Sequence, residues 1–283
     1  MTKIKIARIR QFVVACLSFF FFSLGHAERI VSIGPSASSI IQALGDEDEI
    51  VAADSESMDL LHNHVDLKDI GYMRALSIEG IVALRPTVVI ADSSASPVSV
   101  IQRLSTLGIH VVMLEKITQI NSVYQNVKLI GSALNREGAA KKLINQMKLK
   151  INHIKKLVSN AKSPSVAVLL ALSSNKVYML GKGTNADKYL SFIQAKNAVS
   201  FVGMRPVSKE GLLSIKANVV LVAKTNLKEQ NPYPDALKYL ASEHHSQIHV
   251  INAKLLDSFG SNFADHLGEM AQKVYSNNQG KNV

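Results

Sequence analysis

The chain has 283 residues, a net charge of +10, 47% hydrophobic and 19% charged residues, no tryptophan and one cysteine. That length holds two ordinary domains, each with a core of its own, and the balance excludes a disordered or low-complexity chain. A single thiol excludes a disulfide framework, and basic residues without interleaved aromatics offer no platform for nucleic acid.

Residues 1–27 read as an export signal: Lys3, Lys5, Arg8 and Arg10 precede an apolar run over 12–24, and the small residues Gly25 and Ala27 flank a cut. The run is short for a bilayer span. Cleavage after Ala27 starts the mature chain at Glu28, outside the cytoplasm. A lipoprotein box ending at Cys16 is the rival reading; it leaves almost no apolar stretch ahead of the cysteine and strands phenylalanines behind it. Removing four cations, no acids and Cys16 from a net +10 leaves +6 and no thiol.

The mature chain opens with a strand over 29–33, a turn at Gly34 and Pro35, and a helix over 36–45 with Ser36 as cap and Gly45 as stop. The amino end of that helix suits either an anion or a plain strand-to-helix turn. A second strand, 49–54, leads into a polar loop with His62 and His64, read as solvated because no third ligand stands nearby in sequence. After a strand at 88–91 come a helix over 99–107, closed by Gly108, and a strand at 110–114. This rhythm predicts a parallel sheet. From 121 to 158 the chain reads as helix, interrupted at 135–138. Leu143, Ile144, Met147, Ile151, Ile154 and Val158 recur at spacings of three and four, so its second part is a long amphipathic helix with lysines outward.

Beyond Pro164, strands at 165–172 and 177–180 open a second lobe. Gly181, Gly183 and Ala186 match a degenerate dinucleotide fingerprint, but the acidic residue that should follow about twenty positions on is missing. His244, His245 and His249 read as surface histidines, followed by a strand at 248–252 and a last helix over 262–275.

One stretch occurs twice. Residues 71–89, GYMRALSIEGIVALRPTVV, and 202–220, VGMRPVSKEGLLSIKANVV, align at an offset of 131 and share Met73/Met204, Arg74/Arg205, Ser77/Ser208, Glu79/Glu210 and Gly80/Gly211. Each copy predicts a loop, a short helix capped by its serine with a glutamate in the first turn, and a strand apolar throughout. Two similar α/β lobes facing each other follow from a repeat this long. Tyr72 of the first loop is Gly203 in the second, so the phenol belongs to one wall only.

RIVSIGPSASSIIQALG, EIVAAD, DIGYMRALSIEGIVALRPTVVIA and MRPVSKEGLLSIKANVVLV, with the long helix between the lobes, resemble the periplasmic haem-binding proteins of bacterial haem-uptake ABC importers. The likeness covers nearly the whole mature chain. Its strand and helix order is shared with siderophore and cobalamin binders of the same superfamily, which stand as the alternative; the GYMR loop is particular to the haem branch. The resemblance implies an α/β fold of two Rossmann-like lobes, with mostly parallel sheets flanked by helices, over 28–131 and 161–283. One long helix within 132–160 joins them, and the ligand lies in the cleft. It implies that Tyr72 ligates haem iron and that Glu79 and Glu210 dock on the permease subunits of the inner membrane. It also implies a monomer whose outer-membrane haem receptor is an indirect partner. Some members add a histidine from lobe two; here Ser173, Ser174 and Asn175 occupy that stretch, so five-coordinate tyrosinate iron is expected.

The chemistry suits that assignment. Ferric iron is a hard cation and a phenolate a hard anionic ligand. A free phenol keeps its proton at neutral pH, and both the iron and a nearby guanidinium favour the phenolate. Arg74 is the expected guanidinium; Arg205 is expected to face the cleft from lobe two toward a haem propionate, with Met73, Met204 and Val207 as apolar walls. No nucleophile elbow, zinc-protease motif or phosphate-binding loop occurs, so no enzymatic activity is expected.

Overall fold

The computed structural model describes residues 28–62, 64, 66–173 and 176–276. Residues 1–27, read as an export signal and including Cys16, and the pair Ser174 and Asn175 lie outside them.

Lobe one is built on β1 (Ile30–Ile33), β2 (Ile50–Ala53), β3 (Lys68–Asp69), β4 (Val88–Ala91) and β5 (His110–Met113). They form one sheet in the order β3-β2-β1-β4-β5, parallel at every pairing. The central strands β1 and β4 are buried at every position, as strands covered by helices on both faces must be. Helices α1 (Pro35–Leu44), α2 (Ile78–Ala83) and α3 (Val98–Thr106) fall between them.

Two helices then carry the chain across, α4 (Ile120–Ala133) and α5 (Glu137–Val158). At 22 residues α5 is about 33 Å long. Its Met147, Ile151, Ile154 and Val158 are buried, and they join Ile30 and Ile90 of lobe one to Val166 and Leu221 of lobe two in one continuous core. Since the connector is packed rather than free, moving one lobe against the other disturbs buried side chains.

Lobe two contains β6 (Ser165–Ser173), β7 (Lys176–Leu180), α6 (Asn185–Phe192), β8 (Lys196–Asn197), β9 (Met204–Pro206), α7 (Lys209–Leu213) and β10 (Val219–Lys224). It closes with α8 (Pro234–Glu243), β11 (Gln247–Asn252), a 3-10 turn at Ala253–Leu256 and α9 (Phe263–Tyr275). The sheet order is β11-β10-β6-β7-β9, with β8 beside β6. The sheet is mostly parallel, as expected, with one exception: β7 runs antiparallel to both β6 and β9. The two residues between β6 and β7 allow a hairpin, whereas a parallel return needs a crossover of about a dozen residues.

The repeat survives folding. The helices α2 and α7 start at Ile78 and Lys209, and the strands β4 and β10 at Val88 and Val219, each pair at the offset of 131. Ser77 and Ser208 accept the N–H of Gly80 and Gly211, satisfying a donor that each short helix would leave bare.

Ser36 is not the cap of α1. Gly34 is, at φ 103°, with Pro35 as the first helical residue. The Ser36 hydroxyl instead accepts the Phe259 N–H from lobe two at 3.3 Å, while Ser39 accepts that of Ser261 at 3.2 Å. Gly260 sits so close that a Cβ there would lie 1.8 Å from the Ser39 hydroxyl oxygen. Lys254 reaches Asp59 at 3.3 Å across the same seam.

Candidate functional site

Gly71 turns at φ 86° and is held by Asp69, whose carboxylate accepts its N–H at 2.7 Å and the Ser55 hydroxyl at 2.9 Å. The chain then folds into a turn closed by the Ala75 N–H on the Tyr72 carbonyl at 2.8 Å. Tyr72 is 46% exposed. The guanidinium of Arg74 donates to the Tyr72 hydroxyl and lies 5.4 Å from its ring centroid, and its Nη1 also stands 3.6 Å from Glu56 Oε1. Met73, between them, is buried in the lobe-one core.

Between the lobes lie two adjoining cavities. The larger, about 620 Å³, has Glu56, Asp59 and Arg74 on the lobe-one side and Leu170, Leu180, Ala186, Met204 and Leu256 on the other. The smaller, about 390 Å³, runs from Pro35, Asp92 and residues 114–117 to Asn185, Lys188, Asp257 and Phe259, and the rim of Met73 reaches it. Arg74, Glu56, Asn185 and Asp257 border both. The result is a mostly apolar wall on lobe two, interrupted by Thr184, Asn185 and Asp257, opposite a polar one, an arrangement that suits a flat amphipathic ligand.

Among the residues expected at the site, Tyr72 and Arg74 come together; Arg74 borders both cavities, Tyr72 is in the lining of neither, and Met204 borders the larger one. Arg205 lines neither of these two cavities. It lies on β9, where alternate side chains point to opposite faces, so with Met204 on the cleft side Arg205 turns away and stacks over Phe201 at 4.6 Å. Val207 packs against the second core of lobe two. Glu79 and Glu210 are exposed in the first turns of α2 and α7. The backbone N–H of each glutamate and then the hydroxyl of Ser77 or Ser208 hold their carboxyls below the usual value. Ser173 is exposed at the end of β6.

Several cleft residues carry no motif. The Asp92 carboxyl fills the amino end of α1, accepting the N–H groups of Ser36 at 3.3 Å and Ala37 at 3.1 Å, and the Asp54 carboxylate accepts that of Gly34 at 2.6 Å. The anion site suggested there is thus occupied by the protein's own side chains. Enclosure pushes the Asp92 carboxyl up to about 7 against those hydrogen bonds. Asp257 is raised to about 6, first by desolvation and then by Glu56 across the seam. The glycine-rich stretch before α6 is also self-closed: the Asp187 carboxylate accepts the Gly183 N–H at 3.0 Å and the Thr184 hydroxyl accepts that of Asp187 at 3.3 Å, so no open phosphate cradle forms.

The histidines are dispersed. His62 Nδ1 lies 3.0 Å from the Asp59 carbonyl and His64 meets the Glu47 carbonyl, while His244 approaches that of Ile215 at 3.2 Å. Among the described residues no group of three His, Cys, Asp or Glu is arranged to hold a metal ion, and no helix is long and apolar enough to cross a membrane.

Comparison with known proteins agrees with this architecture. A family model described as periplasmic binding protein matches residues 30–239. A vitamin B12-binding protein of Yersinia pseudotuberculosis is 23% identical over 224 residues, 78% of this chain and 79% of the relative. The periplasmic heme-binding protein RhuT from Roseiflexus sp. RS-1, in apo form, superposes with a TM-score of 0.73 at 25% identity over 88% of this chain and 98% of its own. The periplasmic heme-binding protein HutB of Vibrio cholerae does so at 0.71 and 25%, over 88% and 99%. The vitamin B12-binding protein BtuF of Vibrio cholerae reaches 0.76 at 19% identity over 90% and 98%, a likeness of fold. With a two-lobed α/β fold and a family match across most of its length, the chain belongs to the periplasmic binding protein family.

Proposed function

We propose that this protein captures ferric haem in the interlobe cleft through the Tyr72 phenolate and delivers it to an inner-membrane ABC permease, without catalysing a reaction. The observation that carries the reading is the hydrogen bond to the Tyr72 hydroxyl from Arg74, which borders a cleft with a mostly apolar wall. The guanidinium donates to the phenol oxygen and so fixes the atom that would ligate the iron. The similar solved structures of periplasmic heme-binding proteins at 25% identity support this ligand over others. Apart from the hydrogen bond, Met204, Leu170 and Leu180 supply apolar surface for a porphyrin face. Export through residues 1–27, cut after Ala27, agrees with a periplasmic site of action.

An absorption titration of the mature protein with hemin tests the reading. The wild type is expected to develop a Soret band with tyrosinate features, and Tyr72→Phe to lose those features together with more than about a hundredfold of affinity, since even outer-shell changes cost 10–100-fold. An unchanged spectrum and affinity in Tyr72→Phe would refute Tyr72 ligation. Cobalamin is the second reading, on the strength of the 23% identical vitamin B12-binding relatives. Saturable uptake of cyanocobalamin with no hemin band would establish it instead.

A further inference from the structure

Two lysines face the cleft without a carboxylate partner. Lys116, in the loop between β5 and α4, and Lys188, on α6, border the smaller cavity from opposite lobes. Neither takes part in an ion pair among the described residues. Lys188 Nζ rests over the Phe259 ring, 5.4 Å from its centroid, a contact that positions the ammonium without neutralising it. Burial, and then the charge of Lys116, hold the Lys188 amine below the ordinary lysine value, so the two cations sense each other across the gap.

The acids of the cleft are engaged elsewhere. Asp92 is held by the backbone of α1 and Glu56 by Arg74, while Asp257 faces Glu56 and Lys254. Glu115, beside Lys116, comes within ion-pair distance of neither lysine. Like charges carried by two lobes oppose their approach, and an anion between them turns repulsion into attraction on both walls.

We propose that Lys116 and Lys188 together receive an anionic group of the transported ligand between the lobes. Resting on the haem reading, that group is a porphyrin carboxylate, drawn to the lysine end of the cleft and away from Glu56 and Asp257.

The test compares hemin with hemin dimethyl ester, which keeps iron and ring but lacks free carboxylates, on wild type and on the Lys116→Gln/Lys188→Gln protein. The double variant should lose about tenfold or more in hemin affinity, from two charge-assisted hydrogen bonds. Its affinity for the ester should match that of the wild type, which also shows that it is folded. Equal losses for both ligands, or full retention of hemin affinity, would overturn the proposal. Should the wild type take up no hemin, the haem reading fails and inorganic pyrophosphate decides the lysine pair. A melting temperature raised by pyrophosphate in wild type but not in the double variant upholds the pair, and equal responses reject it.

Discussion

The two copies of the Met-Arg dipeptide face opposite ways. In lobe one Met73 is buried in the core and Arg74 borders the cleft; in lobe two Met204 borders the cleft and Arg205 stacks over Phe201. The difference traces to one position. Ala75 donates its N–H to the Tyr72 carbonyl and closes a turn, whereas its counterpart is Pro206, which has no N–H to give. The second copy stays extended and pairs as the edge strand β9, a place where proline is tolerated. A repeat in sequence therefore preserved helix caps and strands but not the direction of the side chains ahead of them.

Three experiments break or sharpen this contrast. The largest effect is expected where the copies remain equivalent: Glu79→Ala combined with Glu210→Ala should abolish haem-dependent growth through the permease while hemin affinity stays unchanged. Normal import would remove the docking role. Next come the arginines, where the copies diverge. Arg74→Ala should weaken hemin binding by about 10–100-fold, as loss of a residue that supports a metal ligand does, and Arg205→Ala by less than about twofold. Equal losses would mean that Arg205 swings into the cleft on binding.

The smallest effect concerns the strand-to-helix turns. In lobe one the amino end of α1 is filled by Asp92, with a carboxyl raised to about 7; in lobe two the turn before α6 is held by Thr184 and Asp187. A carboxyl with a higher pKa folded than unfolded binds more protons in the native state. Its contribution is complete below the unfolded value and is lost as pH climbs toward 7. Urea melts at pH 4 and pH 7.5 should therefore show Asp92→Asn gaining on the wild type at the higher pH. Parallel stability curves would contradict the raised value.

Much of the fold was legible in the residues. The apolar runs at 88–91 and 219–223 are strands, the serines at 77 and 208 are caps, and the helix starts expected near 99, 121 and 262 fall within a residue of those observed. These features depend on near neighbours: a cap needs the third residue on, and a covered strand needs an unbroken apolar run. The misassigned cap at Ser36 shows the limit, because its competitor, Asp92, arrives from 56 residues away.

By itself, then, the order of residues determined the duplication, the phenol on one wall only, and the matched glutamates at 79 and 210. Tertiary structure alone decided which arginine borders the cleft, and that Glu56, Lys116, Lys188 and Asp257 share it. The physical reason is range. Which face a side chain presents, and which charge stands opposite, depend on strand pairing and lobe packing between segments distant in sequence, and no local pattern encodes those partners.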